Sequence, residues 1–126
     1  MTRVLVKESR RIVGYYTLAM GQVNFDELPH EMARKLPGTL LPIVTLAWLG
    51  VDNHYQGRGF GERLLAQALS DCHHTGQMMP FVAVLIDCVN GKAKRFYQRY
   101  DFETLPGHPM KLILPWKLLN CLKNDE

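Results

Sequence analysis

The sequence predicts an α/β fold whose sheet is parallel at its centre and antiparallel at its edges. Two nearly continuous apolar runs, residues 43–51 (IVTLAWLGV) and 81–86 (FVAVLI), have the composition of strands covered on both faces. Between them Phe60, Leu64, Leu65, Ala68, Leu69 and Cys72 fall on one stripe of a helix, so strand, helix and strand make a right-handed parallel crossover. Ahead of it, residues 3–8 and 12–20 are rich in β-branched and aromatic side chains on either side of Ser9-Arg10-Arg11, the pattern of an antiparallel hairpin.

Residues 26–36 (DELPHEMARKL), broken by Pro29 and closed by Pro37-Gly38, suggest a short helix or an irregular excursion. Residues 43–51 should then be a central strand. Gly57, Gly59 and Gly61 lead into the long helix, and Gly76 is its expected C-terminal stop. Residues 91–100 place Ala93, Phe96, Tyr97 and Tyr100 on one face of a second helix and Lys92, Arg95 and Arg99 on the other. Residues 110–114 are a last strand and residues 116–122 a short terminal helix. No internal repeat or low-complexity segment is visible.

The 126 residues, 47% hydrophobic and 21% charged, suit a single domain over residues 1–126 with one core. Fifteen Lys+Arg against twelve Asp+Glu give a net charge of +3. The pI near 8.8 is below the value above about 9 expected of a dedicated nucleic-acid binder, so any electrostatic argument must be local. Cys72, Cys88 and Cys121 are odd in number and form no C-x-x-C pair, which fits a reduced, cytoplasmic chain. The longest apolar run, residues 40–51, is well short of the roughly 20 residues of a spanning helix, so no membrane partner is expected. The apolar stretch after Met1 is too short for a signal peptide.

The chemistry concentrates between Val51 and Gly61, where a buried strand gives way to a helix. Glycines there permit a tight turn that aims several N–H groups at one anion, at the positive end of the helix dipole, and a phosphate or pyrophosphate is the natural ligand. The spacing is neither G-x-G-x-x-G nor a P-loop, and no acidic residue stands at the ribose-binding offset, which weakens dinucleotide and nucleotide-hydrolysis readings. Taken alone, such a turn is more often tight packing than a binding site. His73 and His74 are adjacent rather than four apart and lack partners at ligand spacing, so no metal is expected.

Two motifs in combination resemble the GNAT superfamily of acetyl-CoA-dependent N-acetyltransferases, over most of the chain. Its acyl-CoA motif, Q/R-x-x-G-x-G/A, is matched by Gln56, Gly59 and Gly61. Its later motif, N-x-x-A-x-x-F-Y-x-x-x-G-F, is matched by Asn90, Ala93, Phe96, Tyr97 and Phe102, with Asp101 where the family has glycine. That replacement calls for a left-handed aspartate or another turn. The resemblance implies a GNAT-like mixed sheet with antiparallel N-terminal strands and a parallel central pair, 43–51 and 81–87, splayed around a pantetheine arm. It implies acetyl-CoA as donor, its pyrophosphate on the backbone of Gly57, Arg58, Gly59, Phe60 and Gly61. Leu49, Gly50 and Val51 would pair with the pantetheine, Gln56, Asn90 and Lys92 would add contacts, and Tyr97 would be the general acid.

Acyl transfer needs these parts. An amine attacks the thioester carbonyl, and a backbone N–H within residues 49–51 is placed to stabilise the oxyanion. A tyrosine, with an ordinary pKa of about 10, is protonated at neutral pH and can donate to the leaving thiolate. Without the resemblance, Tyr97 reads as a core aromatic. An α-amine has a pKa of roughly 7.7–8.0, so a strong base is not obligatory. Asp52 and His54, near the strand end, are candidates for a proton relay, although a lone loop histidine is more often simply exposed.

Within the superfamily, Gly14-Tyr15-Tyr16-Thr17-Leu18, Leu49-Gly50-Val51-Asp52, Gly57-Arg58-Gly59-Phe60-Gly61, Phe96-Tyr97 and Pro109-Met110-Lys111-Leu112 resemble the toxin branch of bacterial toxin–antitoxin pairs. Many members of that branch carry arginine where this chain has Trp48. The resemblance implies the α-amine of aminoacyl-tRNA as acceptor and a ribbon-helix-helix antitoxin as partner. Lys92, Lys94, Arg95 and Arg99, with Arg3, Lys7, Arg10 and Arg11, are the cations available to tRNA phosphates; a solvated helix face explains them equally well. The family normally places a strand and two helices ahead of the hairpin, so an N-terminally short domain is expected, its acceptor wall open or completed by a second copy in a homodimer. The alternatives are a protein or small-molecule N-acetyltransferase, and a catalytically inactive CoA-binding or partner-binding module.

Overall fold

The computed structural model describes residues 1–6, 10–24 and 40–124. Strand β1 (Thr2–Val6) pairs antiparallel with β2 (Ile12–Asn24), which runs antiparallel to β3 (Leu40–Val51) along its length. Helix α1 (Phe60–Met78) carries the chain to β4 (Ala83–Asp87), parallel to β3. Helix α2 (Gly91–Gln98), β5 (Glu103–Leu105), β6 (His108–Pro115) and α3 (Trp116–Asn124) follow. Among the described residues the strands form one sheet in the order β1-β2-β3-β4-β6-β5. The hairpin, the central parallel pair, the helices and the final strand stand where the sequence predicts them; the excursion expected over 26–36 lies outside the described residues. Strand β5 was not anticipated, because three residues are too few to show an alternation.

The continuous apolar runs are buried on both faces, as their composition requires. On one face Val44, Leu46, Val84 and Ile86 join Tyr16, Leu18, Leu112 and Leu114 beneath Leu64, Leu65, Ala68 and Cys72 of α1 and Tyr97 of α2. On the other, Leu41, Ile43, Ala83, Leu85, Leu105 and Ile113 form a smaller cluster. A polar staple ties the hairpin to α1. The Tyr16 hydroxyl donates to Asp71, which also pairs with Arg3 Nε at 2.8 Å and accepts from Gln67 Nε2 at 3.2 Å. Burial, reinforced by the Asp71 carboxylate, drives the Tyr16 pKa well above the usual phenol range, so the tyrosine stays a donor.

Gly76 is not the helix stop that its identity suggested. Helix α1 continues to Met78 and ends where Pro80 holds Met79 extended (φ −132°, ψ 94°), with the Met79 N–H on the Thr75 carbonyl at 2.7 Å. Gly76 serves packing instead: a Cβ there would lie 2.3 Å from Trp116 Cζ3 and 2.8 Å from Phe81 Cε2. His73 stacks on the same indole at 5.4 Å and its Nε2 is 3.0 Å from Asn120 Oδ1, so α3 docks on α1 over a missing side chain. Gly76→Ala should therefore destabilise by about 1–3 kcal/mol through overpacking, outweighing the roughly 0.5–1 kcal/mol of better helix propensity. Urea unfolding reads this as a lower midpoint; a higher midpoint would mean that the glycine is only a poor helix former.

Candidate functional site

The central strands part company. β3 and β4 pair only from Ile43↔Ala83 to Leu46↔Ile86. Beyond that point β4 stays with β6, through Asp87↔Lys111 and the Cys88 N–H on the Met110 carbonyl at 2.8 Å, while β3 follows β2 as far as Val51↔Gly14. The divergence begins at a bulge: Thr17 pairs with Trp48 and Leu18 with Leu46, which leaves Ala47 unmatched.

The phase of the main chain beyond the bulge follows from one bond, the Asp52 N–H to the Val13 carbonyl at 2.7 Å. In an antiparallel pair, residues facing the partner alternate with residues facing away. Trp48, Gly50 and Asp52 therefore spend their main-chain groups on β2, and those of Leu49 and Val51 point into the gap that β4 has left. The Val51 carbonyl agrees, since it accepts Gln56 Nε2 at 3.1 Å from that side. Two backbone N–H groups thus face the opening with no strand to receive them.

The loop after β3 is shaped by short-range bonds. Asp52 accepts the His54 N–H, and the His54 ring Nδ1 lies 2.9 Å from the same oxygen; these contacts, the backbone bond first, hold the Asp52 carboxyl below its usual range. Gln56 Nε2 also donates to Asn53 Oδ1 at 3.1 Å, bolting the short helical turn Asn53–Tyr55 to the strand end. Gly57 (φ 77°) and Gly59 (φ 82°) then take left-handed conformations that disfavour any side chain, and a Cβ at either would meet no atom within 4 Å. The space before the loop is open. Helix α1 starts at Phe60 with no side-chain cap, so the positive end of its dipole faces that space. The Arg58 guanidinium lies over the Tyr55 ring, 5.6 Å from its centroid.

Helix α2 begins at the mouth of the gap, capped by Asn90 Oδ1, which accepts the Ala93 N–H at 2.8 Å. A Cβ on Gly61 would lie 3.6 Å from the Phe96 ring, so the first turn of α1 rests on α2. Tyr97 is 7% exposed, edge-on to Phe96 and Phe102. No buried side-chain oxygen or nitrogen among the described residues lacks a partner, and no hydrogen bond holds the Tyr97 hydroxyl, so that oxygen reaches open space. Burial, with a smaller contribution from Cys88, pushes its pKa up to about 12. Lys92, Arg95 and Arg99 are exposed; Arg99 lies over the Phe96 and Tyr100 rings at 5.5 and 5.9 Å.

The structure thus brings Leu49, Val51, Gly57, Gly59, Phe60, Gly61 and Tyr97 around one opening. Gln56 and Asn90 adjoin it, holding the loop and the helix. Gly50 lies there with its main chain committed to β2. Lys92 stands on the outer side of α2. Asp101 takes the left-handed turn (φ 70°) that its place in the motif demanded. Sequence reasoning missed the Ala47 bulge and the work of Gly14, where a Cβ would fall 2.6 Å from both the Gly50 oxygen and Leu64 Cδ1. A lone glycine inside a strand pattern was the available signal. Among the described residues no helix is long and apolar enough to cross a membrane, and no three His, Cys, Asp or Glu side chains gather as a metal site would require.

Residues 2–104 match the model of the acetyltransferase (GNAT) domain family. The chain is 35% identical over 115 residues to the tRNA-acetylating toxin of Mycobacterium tuberculosis, covering 91% of this chain and 69% of that protein. Among solved structures it resembles AtaT complexed with acetyl-methionyl-tRNAfMet, with a TM-score of 0.88 and 28% identity over 97% of this chain and 74% of that one. It also resembles a mutant AtaT toxin bound to acetyl-CoA and the C-terminus of the antitoxin AtaR, with a TM-score of 0.79 and 25% identity over 97% of this chain and 71% of that one.

The geometry assigns Asn90 a capping bond whatever else it touches. Asn90→Ala should cost about 0.5–2 kcal/mol, with Asn90→Ser recovering most of it. Chemical denaturation of the two variants checks this, and an alanine variant as stable as the parent would remove the cap.

Proposed function

The chain belongs to the GNAT acetyltransferase family and is an acyltransferase; from that premise we propose that it moves the acetyl group of acetyl-CoA to the α-amine of aminoacyl-tRNA, as the cytoplasmic toxin of a toxin–antitoxin pair. The observation that carries the reading is the alignment of two unpaired N–H groups, on Leu49 and Val51, with the open cradle of Gly57 and Gly59. The first pair matches an amide-bearing arm that enters the gap as a substitute strand. The second, at a helix start, matches a pyrophosphate. The tRNA-bound and antitoxin-bound states of AtaT support the acceptor and the partner.

In this reading the loop from Gly57 to Gly61 fixes the donor's phosphates, and Arg58, Asn90 and Lys92 supply further polar contacts at the rim. Gln56 keeps the strand end in register. The thioester carbonyl then lies beside the gap-facing backbone, whose N–H groups stabilise the oxyanion that forms when the amine attacks. The α-amine, near 7.7–8.0, is partly neutral at physiological pH and needs no strong base. Where the amine arrives protonated, the exposed His54 next to Asp52 suits relay of that first proton to solvent. The proton that the neutral amine sheds after attack is the one that reaches the sulfur.

Tyr97 meets the leaving sulfur. Because its pKa is about 12, full proton transfer to a thiolate of ordinary pKa, about 8.5, is unfavourable by roughly 10³-fold. The neutral phenol therefore acts chiefly as a hydrogen-bond donor as charge develops, and the proton lost by the amine completes the neutralisation. The sign is definite. Raising the pKa preserves the donor form at every pH below the folded value and removes it only as pH climbs towards 12. kcat/KM should rise as the acceptor amine deprotonates near pH 7.7–8.0 and then stay level to about pH 10. An alkaline limb near pH 9 that vanishes in Tyr97→Phe would contradict this. Tyr97→Phe should keep its affinity for acetyl-CoA and lose roughly 10²–10⁴-fold in turnover.

Calorimetry with acetyl-CoA tests the donor site. Gly59→Glu, which sets a side chain and a negative charge in the cradle, should abolish binding, and unaltered affinity in that variant would sink the assignment. For the acceptor, simultaneous replacement of Lys92, Arg95 and Arg99 by Ala should weaken tRNA binding and flatten log K against log[salt] by about 0.7–0.9 per lost contact. Transfer to a small amine without any tRNA binding by the parent would move the acceptor to another class.

A further inference from the structure

The Ala47 bulge also decides what lies behind the gap. Past it Leu49 and Val51 face α1, while Trp48 and Gly50 face the opposite side of the sheet. Trp48 is 61% exposed and Tyr15, paired with Gly50, is 41% exposed. The two stand on one face at a diagonal spacing within reach of aromatic side chains. Gly50 is the floor between them: a Cβ there would sit 3.1 Å from Tyr15 Cε1, so the ring lies against bare main chain. Two exposed rings thus flank the backbone stretch that carries the Leu49 and Val51 donors.

Past the end of β3, Asp52 is in phase with Trp48 and Gly50 but is held by His54; otherwise, among the described residues, β1, β2 and β3 put no charge on this patch. Its neighbours on β1 and β2 are Val4, Val6 and Thr17, whereas Arg3 turns to the other face and pairs with Asp71. The surface suits a flat, uncharged ring and not a phosphate. Direction of approach points the same way. The anion cradle heads α1, so a donor laid along it occupies the α1 face, and an attacking amine comes through the gap from the face where Trp48 and Tyr15 stand.

We propose that Trp48 and Tyr15 form a stacking platform that selects acceptors carrying a planar ring close to the reacting amine. This rests on the acetyltransfer reading above. The ring has two possible sources with the same chemistry, the terminal nucleobase of the acceptor strand or an aromatic side chain on the aminoacyl group.

Kinetics of the full chain on glycinamide, phenylalaninamide and glycyl-tRNA separate the sources. In Trp48→Ala the selectivity for a ring-bearing acceptor, taken as its kcat/KM over that of glycinamide, should fall on the order of 10-fold, as loss of one stacking contact implies. Trp48→Phe should restore most of it. A fall confined to phenylalaninamide identifies the aminoacyl side chain, and a fall with glycyl-tRNA identifies the nucleobase. Equal losses on all three acceptors, or no change in selectivity, overturn the proposal. A second readout needs no turnover: phenylalaninamide or adenosine should quench the exposed indole emission, and Trp48→Phe should abolish the effect. Quenching without acetyl transfer would indict the donor reading alone, and no quenching by either probe would overturn the platform.

Discussion

Everything distinctive about this molecule follows from a short length of strand that is denied a neighbour. Leu49 and Val51 carry backbone donors that a continuous sheet would pair, and the chain keeps them unpaired in three ways. Ala47 bulges and turns β3 along β2; β4 is drawn to β6 by Asp87↔Lys111 and the Cys88 N–H; and α2 starts where the two strands have separated. Unpaired donors are tolerable here because they face an opening and not a closed core. The same arrangement suits an extended, amide-bearing ligand, which meets in the gap the hydrogen-bonding pattern of a missing strand.

A gap of this kind is useful only if the helix that starts beside it is fixed relative to it. Helix α1 is fixed at three levels. Gly14 lets Leu64 approach the hairpin beside Val51, the Tyr16–Asp71–Arg3 cluster fastens its middle to β1 and β2, and Gly76 lets Trp116 settle against its last turns. Glycine recurs for different physical reasons. Gly14 and Gly76 are required by contacts, whereas Gly57 and Gly59 are required by backbone angle and open onto empty space. That difference separates a glycine demanded by packing from one demanded by a turn that leaves its main chain open.

Much of this was legible in the sequence. The paired apolar runs announced a doubly covered parallel centre, the stripe from Phe60 to Cys72 announced the crossover helix, and the spacing of Gln56, Gly59 and Gly61 with Asn90, Ala93, Phe96 and Tyr97 located the opening and resembled one family. What escaped depends on register or on distant contacts. The Ala47 bulge leaves no local signature, since alanine is equally at home in a regular strand. Gly76 looked like a terminator because its partner, Trp116, is forty residues away in sequence. The short β5 exists through pairing with β6 and not through its own composition. Gly50 belonged to the expected set, yet its N–H faces β2, because alternation along a strand is settled by its partner.

Backbone amide exchange across residues 48–52 probes the central claim most directly. In the free protein the account predicts slow exchange at Gly50 and Asp52, which bond to β2, and fast exchange at Leu49 and Val51, with acetyl-CoA slowing the latter pair selectively. Equal protection of all four amides in the free protein, or no response of Leu49 and Val51 to saturating acetyl-CoA, would contradict it.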